Sequence, residues 1–176
     1  MSGAAPFTGD LGLVLGETAG EHRVERAAEA ADAALALVGQ ARQSLRIFTR
    51  HLDAPLYGGN AFHDALSAFA RRSRHTGVRI LVQDPTPAIH ADHRLIGLIQ
   101  ALSSHIGVRR VAADWADEVF AFLLADGRGL LYRPYGDRFE GSVDFAAGPR
   151  ALELGRWFDD VWENSQPDPE FRQLKI

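Results

Sequence analysis

The chain has 176 residues, 46% apolar and 24% charged, a balance that suits one globular domain and excludes wholesale disorder. Its formal net charge of −4 argues against a protein whose main task is coating nucleic acid. It has no cysteine, which excludes disulfide scaffolds, zinc ribbons and thiol nucleophiles.

Residues 1–10 read as a flexible tail of small and polar residues with no targeting signal, and residues 11–176 as one domain. Leu11 to Leu15 is a short apolar run, an edge-strand candidate. Glu21 to Val38 predicts a helix, with Val24, Ala27, Ala28, Ala31, Leu35 and Val38 spaced as one apolar face. Gly39 ends it. Ser44 to Phe48 alternates polar and apolar residues and predicts a strand. Thr49 to Asn60 holds Pro55 and Gly58-Gly59 and reads as a loop. Asn60 then caps a helix from Ala61 to His75.

Val78 to Val82 predicts a second strand, Asp84 to Pro87 a loop, and Ala88 to Ser104 a helix with Leu95, Ile96, Leu98, Ile99 and Leu102 apolar. Gly107 to Val111 predicts a third strand. Strands alternating with helices favour parallel pairing through right-handed crossovers. The pattern then changes. Glu118 to Ala125 and Leu130 to Tyr132 flank Asp126-Gly127, a strong hairpin signal. Phe139 to Phe145 suits one more strand. Gly148-Pro149 opens a last helix, with Leu152, Leu154, Trp157, Phe158, Val161 and Trp162 as its inner face. Trp157 and Trp162 read as core. The expected fold class is α/β, a mixed sheet flanked by helices. No apolar run approaches the ~20 residues needed to cross a bilayer, so a soluble cytoplasmic protein is expected.

This order resembles one half of the phospholipase D superfamily fold, from Glu21 to Ser165. The likeness rests on Leu45-Arg46-Ile47-Phe48, on Val78 to Asp84, on the hairpin strand ending in Asp126, and on the closing helix with Trp157, Phe158 and Trp162. The superfamily's chemistry uses His-x-Lys-x4-Asp on the hairpin strand. Aligned on Asp126, Val119 stands at the His position and Ala121 at the Lys position. Valine has no lone pair for a covalent intermediate and alanine has no charge. The likeness therefore implies a domain emptied of its phosphodiesterase machinery, with no catalytic residue; no cofactor is expected. Arg50-His51-Leu52-Asp53, His93-Arg94-Leu95, Arg133-Pro134 and Phe139-Glu140-Gly141 narrow the resemblance. They resemble a proteobacterial family of no established activity, some of whose members are attached to an acetyltransferase domain. Single-half members of the superfamily pair across a two-fold axis, so the likeness also implies a homodimer.

In an open α/β sheet, ligands bind beyond the carboxyl ends of the strands. Arg50, His51 and Asp53 follow the first strand, Asp84 the second, and Arg133 the hairpin's return; His93 and Arg94 open the helix after Asp84. One reading is a binding site for a phosphate-bearing anion. The other is an internal ion-pair network. The site meets at one rim only if the hairpin's first strand runs opposite to the parallel pair. The function expected is binding of a partner protein or a small anionic ligand, with a hydrolase or transferase on a phosphate-bearing substrate as the alternative. A nucleic-acid accessory role would rest on Arg71, Arg72, Arg74, His75 and Arg79, which read more simply as a solvated face at a helix end. His90 and His93 with Asp92, joined by His51 or Asp84, lack a third ligand at diagnostic spacing for a metal.

Overall fold

The structure, a computed structural model, describes residues 3–72, 74–91 and 94–171. One nine-stranded sheet runs through it in the order β1-β2-β8-β7-β6-β3-β4-β5-β9. Its centre is built from β3 (Ser44–Thr49), β4 (Gly77–Val82) and β5 (Ile106–Arg110), all parallel. These runs are rich in buried Leu, Ile and Val, as strands covered on both faces must be. The hairpin β6 (Ala121–Ala125) and β7 (Gly129–Arg133) pairs with β3 through β6, antiparallel. β7 therefore runs the same way as β3, and its carboxyl end lies at the same rim. Beyond it come β8 (Gly141–Asp144), β2 (His22–Val24) and β1 (Ala5–Pro6). β9 (Gln166–Pro167) closes the other edge against β5.

One face of the sheet packs on α1 (Ala27–Gln40), α2 (Ala54–Tyr57), α3 (Asn60–Arg72) and α5 (Arg94–Ala101), with α4 (Thr86–His90) between strand and helix. The other face carries α6 (Pro149–Asn164), whose Ala151, Phe158, Val161 and Trp162 bury against Phe48, Leu81, Phe122 and Leu124. Arg46 on β3 holds α6 in place: its Nε and Nη2 donate to the two carboxylate oxygens of Asp159 at 2.9 and 3.2 Å.

Several local expectations are corrected. Residues 5–7 are no tail: Ala5–Pro6 pairs with β2, and Phe7 is buried against Phe145. Leu11 to Leu15 forms turns rather than a strand, and Leu11 is fully exposed. The first helix begins at Ala27, because residues 22–24 pair with β8 instead. It buries Ala30, Ala33, Ala34, Leu37 and Val38, a face rotated from the expected one. An alanine-rich helix is apolar almost all round, so spacing alone does not fix its phase. The expected helix Ala88 to Ser104 is two helices, α4 and α5. Leu152 on α6 is exposed, not inward, and Trp157 is only part-buried.

Candidate functional site

Asp126 lies in the turn between β6 and β7. It sits at φ 54° in the hairpin turn, followed by Gly127 at φ 65°. Both central residues of the turn closed by Arg128 N–H on the Ala125 carbonyl are therefore left-handed, which suits Asp-Gly. Its carboxylate accepts the backbone N–H groups of Arg42, Gln43 and Ser44 at 2.7–3.1 Å. These bonds tie the turn to the start of β3. They lie at the strands' amino end, away from the rim where ligands bind.

At the carboxyl rim, register decides what the hairpin strand can do. Ala121 pairs directly with Arg133 across β6–β7, so the two side chains share a face. Arg133 is buried, only 1% exposed. Its Nη2 donates to Asp53 Oδ2 at 3.2 Å, and its Nη1 to the carbonyls of Arg138 and Gly136 at 2.9 and 3.4 Å. Asp53 stands just before α2, where its own carbonyl accepts the N–H groups of Leu56 and Tyr57. Burial raises the Asp53 carboxyl above its ordinary value, while the charges of Arg133 and His51 pull it down. The phenol of Tyr57 lies against the same pair; burial pushes it up to about 12.

The loop after β7 folds back onto β6. Gly136 N donates to Val119 O at 2.6 Å. A methyl group at Gly136 would stand 3.4 Å from that oxygen, 3.5 Å from Ala121 Cβ and 3.7 Å from Arg50 Cβ. Backbone thus fills the space beside Ala121 that a long side chain would need. Val119, two residues before Ala121, is exposed.

The remaining residues of the expected site divide. Arg50 is exposed and has no ion-pair partner among the described residues; its carbonyl accepts the Asp84 N–H at 2.8 Å. His51 Nδ1 lies 3.0 Å from the Asp84 carbonyl and 3.9 Å from its carboxylate. That bond leaves Nε2 as the unengaged end of the ring. Asp84 Oδ1 accepts Thr86 N–H at 3.1 Å and so starts α4. Burial works to raise the Asp84 carboxyl, but the bonds from Thr86 and the charges of His51 and Arg110 outweigh it and hold it below its ordinary value. Arg94 opens α5 and is exposed, while His93 lies outside the described residues. The structure thus brings Arg133 to Asp53 and His51 to Asp84 on one rim. A cleft of about 270 Å³ beside them is lined by His51, Asp53, Pro55, Pro87, Ala88 and Ala91. Among the described residues no cluster could hold a metal ion.

Sequence reasoning missed Tyr57, Gly136 and Arg110. Arg110 ends β5, next to Val82 in register, and so adds an exposed cation to the rim. Its place at the carboxyl end of a strand was a readable signal. Tyr57 and Gly136 lie in loops whose path only the tertiary fold sets. The basic run is partly engaged within the chain: Arg72 bonds the Ala41 carbonyl, Arg71 bonds Ser67, and Arg79 approaches Asp159.

The family described as Domain of unknown function (DUF7931) matches residues 26–174. The chain belongs to that family. Three solved structures share the fold of this DUF7931 protein. Nuc from Salmonella typhimurium, described as a phospholipase D family member, has a TM-score of 0.59 at 15% identity over 84% of this chain and 98% of Nuc. NucT from Helicobacter pylori has a TM-score of 0.62 at 11% identity, with the same coverage of 84% and 98%. TrmBL2, an archaeal chromatin protein, has a TM-score of 0.59 at 14% identity over 84% of this chain; the DUF7931 chain spans 54% of TrmBL2. The fold is phospholipase D-like. No curated protein matches the DUF7931 chain in sequence. No helix among its described residues is long and apolar enough to cross a membrane.

Proposed function

We propose that this DUF7931 chain is a phospholipase D-like domain that binds a phosphate-bearing ligand at its carboxyl rim without hydrolysing it. The observation that carries the reading is the contrast between two arginines. Arg133, opposite Ala121, is buried and already neutralised by Asp53, so it is not available to a substrate. Arg50, beside the same strand, is exposed and has no ion-pair partner among the described residues. Arg110 and Arg94 add exposed cations to that rim, and His51 leaves its Nε2 unengaged there. Such a rim attracts phosphate but offers no nucleophile at positions 119 and 121. Pairing of two copies belongs to the same reading. It is supported by the edge formed by Phe120, Tyr132 and Trp157, which α6 leaves part-exposed.

Titration with pyrophosphate tests it. Ligand that binds only the folded state raises the melting temperature. Pyrophosphate is expected to raise it, and its apparent affinity should fall at least tenfold in Arg50→Ala. An unchanged melting temperature at millimolar pyrophosphate, or an undiminished response in Arg50→Ala, contradicts the reading.

A further inference from the structure

A second cavity lies away from the rim. Residues 7–20 cross α1 as a strap before β2 begins, upstream of the span matched by the family. The strap is held at both ends. Phe7 is buried and its N–H donates to the Arg23 carbonyl at 2.8 Å. At the other end Gln40, the last residue of α1, clasps it. Gln40 Oε1 accepts Leu15 N–H at 2.8 Å, and Nε2 donates to Leu13 O at 2.9 Å and to Asp10 Oδ2 at 3.3 Å. Between strap and helix lies a cleft of about 670 Å³, within the size range of small-molecule sites.

The chemistry of its walls is one-sided. Phe7, Leu35 and Ala36 supply apolar surface, and Asp10 and Asp32 supply carboxylates; no Arg, Lys or His lines it. Asp32 has no hydrogen-bond or ion-pair partner among the described residues. The cleft also reaches Gly39 and Gln40 in the last turn of α1, while Arg72 answers the helix end through the Ala41 carbonyl at 2.7 Å, outside the cleft lining. Two carboxylates and an apolar wall share one concave space.

We infer that the cleft between the N-terminal strap and α1 binds an organic cation, an ammonium or guanidinium on an apolar stem. The stem lies along Phe7, Leu35 and Ala36, and the cation lies between Asp10 and Asp32. This site is independent of the phosphate rim, because α1 ends where β3 begins, at the opposite edge of the central strands.

Isothermal titration of the full chain at low salt tests it, using benzylamine, the neutral benzyl alcohol, and a capped arginine–leucine dipeptide. At least one of the two cations is expected to bind. Benzyl alcohol should bind at least tenfold more weakly than that cation. Asp32→Asn, at an exposed position, should weaken the cation at least tenfold, and added salt should weaken it in the wild type. A tighter dipeptide assigns the source to a basic side chain of another protein; a tighter benzylamine assigns it to a free amine. Either supports the site. No heat from either cation, equal binding of the alcohol, undiminished binding by Asp32→Asn, or indifference to salt overturns it.

Discussion

Replacing Arg133 by methionine is expected to destabilise the fold by about 3–5 kcal/mol at neutral pH, the cost of leaving one member of a buried ion pair without the other. Methionine keeps most of the volume, so the loss reports charge and hydrogen bonds rather than a cavity. Asp53 is left facing Tyr57 with its carboxylate uncompensated, and the carbonyls of Gly136 and Arg138 lose their donor. The deficit carries a pH signature. Burial raises Asp53, and Arg133 is the main group opposing that rise. Without Arg133 the folded-state value climbs further above the unfolded one. A raised carboxyl favours the folded state fully below its unfolded value, and that contribution is lost as pH rises through the folded value. Urea melts of Arg133→Met should therefore show a deficit that is largest near neutrality and shrinks in acid. The double variant Arg133→Met/Asp53→Asn should recover part of the loss at neutral pH, because it removes the stranded charge. A single variant with wild-type stability at pH 7, or a deficit that grows in acid, would mean that the pair is not the buried strut described above.

Truncating Trp162 to alanine is expected to cost about 3–5 kcal/mol, the range for deleting a large buried aromatic. Its ring stacks on Phe158 with centroids 6.1 Å apart and lies under the Arg109 guanidinium at 4.4 Å. Its edge also passes close to Gly107, where an added Cβ would stand 3.1 Å from it. β5 thus has glycine where a side chain would collide with the helix. Trp157 should cost less. It meets Phe48 edge-on at 4.9 Å and Phe120 at 5.1 Å, but it is only part-buried. Midpoints in urea should fall in the order wild type, Trp157→Ala, Trp162→Ala. The reverse order would place Trp157, not Trp162, at the heart of the α6 contact.

The central sheet was legible because its signals are local and repeated. Ser44 to Phe48 alternates polar and apolar residues, Val78 to Val82 is mostly apolar, and Asp126-Gly127 names its own turn. The order of these pieces was enough to suggest the phospholipase D-like fold. The edges were not legible. His22–Val24 looks like the start of an amphipathic helix, and only pairing with β8 makes it a strand. Ala5–Pro6 and Gln166–Pro167 are two-residue strands that exist because a neighbour offers free backbone groups. Within the candidate site, the rim positions of Arg50, Asp53 and Asp84 followed from strand ends. That Arg133 is buried and already paired did not follow, because an arginine at a strand end reads the same whether it faces solvent or a carboxylate. The path of Gly136 over Ala121 depends on a loop whose sequence, Pro134-Tyr135-Gly136-Asp137, indicates a turn but not its destination.

Position 121 also shapes what can be restored. A lysine there would meet the backbone of Gly136 and the Arg133 guanidinium on the same face. Loop, arginine and alanine form one packed arrangement.

The most direct measurement of the central claim is release of p-nitrophenol from bis-p-nitrophenyl phosphate by the purified chain, run beside Arg50→Ala. The account predicts no turnover above buffer for either protein, although pyrophosphate raises the melting temperature of the wild type. Turnover that persists through purification and falls in Arg50→Ala would contradict it, and would make the rim a catalytic site built without the superfamily's histidine and lysine.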